Sequence, residues 1–110
     1  MKMQSLDQTR TALVTGGGRG LGPAICIGLA EMGCNAAVNF VSNAAAAAEI
    51  VAACGAAGGQ AVAIQADVSE EAEVSELVAA AREPFGPIDI LGNNAGIAPI
   101  QRIFEADLET

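Results

Sequence analysis

Thr15-Gly16-Gly17-Gly18-Arg19-Gly20-Leu21-Gly22 follows the short apolar run Ala12-Leu13-Val14 and opens an amphipathic segment that carries on to Met32. A buried strand, a glycine turn and a helix in succession form the unit that lays an anion on a helix N-terminus. Glycine permits positive φ in such a turn, and its missing Cβ lets a phosphate approach the backbone. Free N–H groups and the dipole at the helix start then stabilise the negative charge. Taken alone, the turn has two readings: a phosphate cradle, or a tight strand-to-helix connection with no ligand. Its spacing is G-x-x-x-G-x-G, from Gly16 through Gly20 to Gly22. That departs from G-x-G-x-x-G because position 25 is Ile, and from the P-loop because no Lys follows.

Outward from the turn, the pattern alternates strands and helices. Leu21, Ile25, Gly28, Leu29 and Met32 recur on one helical face, with Pro23 near the first turn and Gly33 as the stop. Gly28, in mid-helix, is expected to let the helix sit close to the sheet. Ala36 to Phe40 reads as a second buried strand, Asn43 to Ala57 as an Ala-rich helix anchored by Ile50 and Val51, and Gly58-Gly59 as its end. Ala61 to Ile64 reads as a third strand. Asp67-Val68-Ser69 leads into a third helix, with Ser69 as expected N-cap and Glu70 and Glu71 in the first turn. Val74, Leu77, Val78, Ala81 and Phe85 form its apolar face, and Glu73, Glu76 and Glu83 are expected to point to water. Pro84-Phe85-Gly86-Pro87 ends it, Ile88 to Leu91 is a fourth strand with Asp89 its one charge, and Gln101 to Thr110 could begin another helix. The order β-α-β-α-β-α-β predicts an α/β fold with a parallel sheet and right-handed crossovers. Strands nearly free of charge fit a sheet covered by helices on both faces.

At 110 residues the chain is at most one domain, and 52% apolar residues give it a globular composition. A net charge of −8 and 3% aromatics argue against nucleic acid and anionic membranes as partners, since both need a basic patch and single strands need stacking rings. Cys26, Cys34 and Cys54 are odd in number and not at C-x-x-C spacing, so reduced, buried thiols and a cytoplasmic location are expected. Residues 1–10 form a polar tail without the apolar stretch of a signal peptide, and no segment is long enough to span a bilayer.

Thr15-Gly-x-x-x-Gly20-x-Gly22, then Asp67-Val68 after strand three, then Asn93-Asn94-Ala95-Gly96 after strand four, occur in one order at domain-like spacing. This set resembles the short-chain dehydrogenase/reductase family, nearest to the 3-oxoacyl carrier-protein reductases, over about Thr11 to Ala98. The resemblance implies an incomplete Rossmann-type NAD(P)-binding domain over residues 1–110, with a truncated, doubly wound parallel sheet of strand order 3-2-1-4. Gly16, Gly20 and Gly22 would form the pyrophosphate turn, with backbone contact from Leu21. Asp67 would accept a hydrogen bond from the adenine amino group, beside the Val68 backbone. Asn94, Ala95 and Gly96 would lie along the adenosine ribose. Two of these keep a structural alternative: Asp67 as a helix-flanking cap before Ser69, and Asn94 as a bond between strands.

A carboxylate at the end of strand two would bind both ribose hydroxyls and repel a 2′-phosphate. Here that corner reads Val38-Asn39-Phe40-Val41-Ser42, with no acid. Arg19, unless it is a solvated turn residue, could pair with a phosphate. Together with Ser42 this predicts NADP(H) in preference to NAD(H). Family catalysis uses a Ser, a Tyr-x-x-x-Lys pair and a helix Asn, all downstream of the Asn-Asn-Ala-Gly motif. This chain has no Tyr and no His, and its one Lys is Lys2. No catalytic residue is therefore named. The expectation is the cofactor-binding half of an oxidoreductase, truncated before the catalytic half, inactive alone and self-associating through its fourth strand. The alternative is a stand-alone nucleotide-binding or assembly module.

Overall fold

A computed structural model of the chain describes residues 9–16 and 21–93. Over these residues the elements are β1 (Thr11–Thr15), α1 (Gly22–Glu31), β2 (Asn35–Phe40), α2 (Ala44–Ala57), β3 (Gln60–Gln65), α3 (Glu71–Phe85) and β4 (Ile90–Asn93). The four strands are parallel in the order β3-β2-β1-β4. Chain order thus runs outward from β1 to β3 and then reverses across the sheet to β4, as the family resemblance implies. The possible helix over Gln101 to Thr110 lies outside the described residues.

Side-chain alternation along the strands divides the core into two layers. Ala12, Val14, Ala36 and Val38 face one way, against Cys26 and Ala30 of α1 and Cys54 of α2. Leu13 and Ala37 face the other way, against Val74, Leu77, Val78 and Ala81 of α3 and against Ile88. β1 is buried along its whole length. Among the described strands β3 is one edge, with Gln60, Ala63 and Gln65 exposed while Ala61, Val62 and Ile64 pack against the core.

Local chemistry sets the helix ends. Asn43 caps α2, its side chain accepting from the Ala46 N–H at 3.0 Å, and the alanine run behind it propagates with little entropic cost. All three thiols are buried and free. Burial first, and then the neighbouring Cys54, push the Cys26 thiol up to about 12, and burial raises Cys54 as well.

Several expectations are corrected. The buried stripe of α1 is Gly22, Cys26 and Ala30, while Leu21 and Met32 are 72% and 78% exposed. Small residues occupy the contact line because α1 lies close to the sheet, and the larger Ile25 and Leu29 pack at its margins. Gly28 is not the close-approach glycine, since a Cβ there would meet nothing within 4 Å. That role belongs to Gly59, where a Cβ would lie 2.6 Å from the Cys34 carbonyl oxygen and 2.9 Å from the Ala30 Cα.

Ser69 does not cap α3. The N-cap is Glu70, and it makes no side-chain cap bond. Glu73 turns back to accept the Asp67 N–H at 2.8 Å instead of pointing to water. α3 runs through Pro84, which sits in its last turn, and stops at Gly86. Phe85 is only partly buried and stands outside both core layers. β4 starts two residues later than its apolar run. Ile88 is a core residue of the preceding loop, and Asp89 clamps the start of β1, its N–H donating to the Thr11 carbonyl at 2.9 Å and its carboxylate accepting the Thr11 N–H at 3.0 Å. The charge expected inside strand four therefore lies before it.

Candidate functional site

Because all four strands are parallel, their C-terminal ends share one edge of the molecule. The direction of chain progression reverses between β1 and β4, and at such a switch point the loops above the neighbouring strands diverge and leave a crevice. Gly16 leaves β1 at this edge with φ +62, a left-handed conformation that disfavours any residue with a Cβ. Leu21 is the exposed residue that starts α1, and Gly22 is buried at its first turn, so the N-terminus of α1 opens onto the same edge. Ser42 is exposed in the β2–α2 connection beside Val41, itself 49% exposed. Asp67 follows β3, and Val68 behind it is buried among the α3 layer. Arg19, Gly20, Asn94, Ala95 and Gly96 lie outside the described residues.

Asp67 is half-buried and locally fixed. The Ser69 hydroxyl donates to its Oδ1 at 2.7 Å and the Ser69 N–H to the same oxygen at 3.0 Å. The hydroxyl bond first, and then the backbone bond, hold its carboxyl below the usual carboxylate range. It is therefore an anion at neutral pH, and both bonds of the turn fall on Oδ1. The capping alternative thus describes part of its role. Asp67 does accept a backbone N–H, yet it does so in a turn ahead of α3, not at the α3 N-cap.

The residue that sequence reasoning passed over is Asn39, which was read only as part of an acid-free corner. It is fully buried, and its Oδ1 accepts the Gly16 N–H at 3.2 Å while its Nδ2 donates to the Ala66 and Ile64 carbonyls at 3.1 and 3.3 Å. A polar residue within an otherwise apolar run, Ala36-Ala37-Val38-Asn39-Phe40, was the available signal. Thr15 marks the other side of β1, its hydroxyl reaching the Gly92 carbonyl of β4 at 3.5 Å.

Comparison with known proteins matches the chain to the short chain dehydrogenase family over residues 10–110. It is 43% identical over 100 residues to an uncharacterized oxidoreductase of Methylorubrum extorquens, covering 91% of this chain and 40% of that protein. It is 40% identical to a 3-oxoacyl-[acyl-carrier-protein] reductase of Synechocystis, with the same two coverages. A short-chain dehydrogenase/reductase homolog of Bacillus subtilis, YusS, is 47% identical over 88 residues, which are 80% of this chain and 81% of that one. Among solved structures, an NADH-dependent reductase complexed with NAD superposes with a TM-score of 0.72 at 34% identity, covering 81% of this chain and 37% of its own. A dehydrogenase from Burkholderia cenocepacia with bound NADP gives 0.74 at 38% identity, covering 78% and 34%. Apart from YusS, the chain spans about two fifths of the length of these relatives or less. On sequence, topology and superposition together, the chain belongs to the short-chain dehydrogenase/reductase family of oxidoreductases.

Proposed function

We propose that the chain binds a nicotinamide dinucleotide, NADP(H) in preference to NAD(H), across the C-terminal ends of β3, β2 and β1. The observation that carries this reading is the Gly16 turn and the Asp67 carboxylate standing at one edge, on either side of β2, beside the reversal of strand order. The residues present fit such a group. A backbone turn at positive φ can approach a pyrophosphate, and an ionised, oriented carboxylate can accept an adenine amino group. Gly16, Gly20 and Gly22 would hold the pyrophosphate with the Leu21 backbone, Asp67 and Val68 the adenine, and Asn94, Ala95 and Gly96 the adenosine ribose. Arg19 and Ser42 would take the 2′-phosphate. The corner after β2 supports this, since neither it nor the first turn of α2 carries an acid.

When bound, the nicotinamide supplies the hydride donor or acceptor. These 110 residues supply binding and orientation. With no Tyr in the sequence they hold no phenol to protonate a carbonyl oxygen. In a full-length relative the activity would be hydride transfer between the cofactor and a carbonyl or alcohol. A second reading, a nucleotide-binding module without chemistry of its own, is favoured by the near-equal length of the Bacillus subtilis relative.

Titration of NADP+ and NAD+ into the chain, and into Arg19→Ala and Phe40→Asp, tests the reading. NADP+ should bind more tightly, Arg19→Ala should lose that advantage, and Phe40→Asp should reverse it. Equal affinities in all three proteins would remove the specificity argument. NADPH mixed with ketones and β-ketoacyl thioesters should show no oxidation above buffer, and steady turnover would refute the assignment of binding alone. Self-association belongs to the same proposal. Among the described residues β4 pairs with β1 alone, and an edge without charge is a template for a second chain. Light scattering should find a dimer or larger species, and a clean monomer would set this part aside.

A further inference from the structure

Asn39 presents a planar group with an acceptor on one side and two donors on the other, in a position that solvent does not reach. The acceptor holds Gly16, the first residue of the glycine turn. The donors hold Ile64 and Ala66, so that the residue bonded to the amide directly precedes Asp67. The two proposed nucleotide contacts, the turn after β1 and the carboxylate after β3, flank β2, and Asn39 is the side chain of β2 that bonds to both flanks. We propose that Asn39 is a positioning residue for the dinucleotide. It fixes the height of the pyrophosphate turn relative to the adenine carboxylate without touching the ligand.

This inference rests on the nucleotide-binding reading above. A site whose two contacts are locked before binding loses less freedom on binding, and the gain appears as affinity. Because Asn39 is buried and bonds backbone alone, its contribution is the same whether or not a 2′-phosphate is present. The same geometry separates it from its neighbour. A carboxylate at position 39 would aim acceptor oxygens at two carbonyls, whereas Phe40, half-buried at the strand end, can be exchanged for an acid.

Calorimetric titration of NADP+ and NAD+ tests the proposal in the unaltered chain, Asn39→Leu, Asn39→Ser and Val78→Ala, at a temperature where circular dichroism shows each folded. Val78→Ala loosens the chain from α3 and controls for stability alone. Both Asn39 variants should weaken both nucleotides by a common factor of about ten, as expected when one buried polar group loses its partners. Val78→Ala should leave both constants unchanged. Unchanged constants in the Asn39 variants, an equal loss in Val78→Ala, or a loss confined to one nucleotide would overturn the proposal. In the unaltered chain, NADP+ should shift the Asn39 side-chain amide resonances. Unshifted resonances would overturn it even where both variants unfold. An unaltered chain that binds neither nucleotide refutes the reading of the site itself, and the positioning role with it.

Discussion

Under α1 and α2 the sheet presents Ala12, Val14, Ala36 and Val38, and the helices bring Cys26, Ala30 and Cys54 against them. Under α3 it presents Leu13 and Ala37, and the helix brings Val74, Leu77 and Val78. On the first face the fully buried helix residues are small, with Ile25, Ile27, Leu29, Ile50 and Val51 only partly buried around them; on the second the buried helix residues are mostly larger. The difference bears on the site. α1 is the helix whose N-terminus opens at the glycine turn, and small contacts let it sit low over β1, where Gly59 touches its last turn. α3 packs through the larger Val74, Leu77 and Val78. The small-residue face should therefore fail by overfilling and the large-residue face by emptying.

The largest effect should come from emptying the α3 face. Leu77 is 1% exposed at the centre of that layer. Leu77→Ala should cost about 3 kcal/mol, within the range for buried leucines, measured by urea denaturation. The mirror-image change, Ala30→Leu on α1, should also destabilise, although it adds apolar surface. A neutral Ala30→Leu would break the contrast between the faces.

Overfilling at the closest contact comes next. A Cβ at position 59 would stand 2.6 Å from the Cys34 carbonyl oxygen and 2.9 Å from both the Ala30 Cα and Cβ, mostly backbone that cannot rotate away. Gly59→Ala should therefore cost about 2 kcal/mol. Gly28→Ala, on the same face of the sheet but with nothing near its Cβ, should be neutral or stabilising by up to about 1 kcal/mol. Melting temperatures of the two variants should move in opposite directions, and a common direction would place the close approach elsewhere.

Alkaline pH should separate the faces without any change of packing. Cys26, with its thiol pushed up to about 12, and Cys54, raised in the same direction, lie on the α1–α2 face, and the α3 layer contains no thiol. In the unfolded chain a thiol ionises near 9, while the folded Cys26 stays protonated. The folded state then holds more protons than the unfolded one, so stability is intact below about pH 9 and falls between 9 and 12. The slope is at most about 1.4 kcal/mol per pH unit for one thiol. Cys26→Ala with Cys54→Ala should flatten the curve over that window, as read by chemical denaturation at fixed pH. An unchanged slope would assign it to other groups.

How much was legible follows the same division. α3 could be read from Val74, Leu77, Val78 and Ala81, because large residues at helical spacing announce their own buried face. α1 could not, because its contact residues, Gly22, Cys26 and Ala30, are small, and the larger Leu21 and Met32 drew the apolar stripe toward solvent. Strand order followed from the family resemblance of the motifs, whereas the start of β4 did not, since Ile88 is apolar for a loop's reason. The glycine turn and Asp67 were visible as motif residues. The bonds that unite them run through Asn39, and a side chain bonded to backbone far off in the chain leaves no spacing pattern in the sequence.

The smallest effect lies where the two faces meet, in β4. Gly92 pairs with Val14, and a Cβ there would find the Val14 Cγ2 at 3.4 Å and the Ile25 Cγ2 at 3.6 Å. These are ordinary contacts, and the backbone at Gly92 is not in the left-handed region. A glycine in a strand forfeits backbone entropy on folding without returning a packed side chain. Gly92→Ala should then stabilise by about 0.5 kcal/mol, adding a methyl group that contacts both β1 and α1. Because this layer is the one that tolerates least filling, the sign is informative. Gly92→Val should return less than Gly92→Ala, or become destabilising, as the second and third carbons press on Val14 and Ile25. Should Gly92→Val prove the more stabilising of the two in a thermal melt, the α1–α2 face holds more room over β4 than over β3, and the contrast between the two sides of the sheet narrows to the end nearest Gly59.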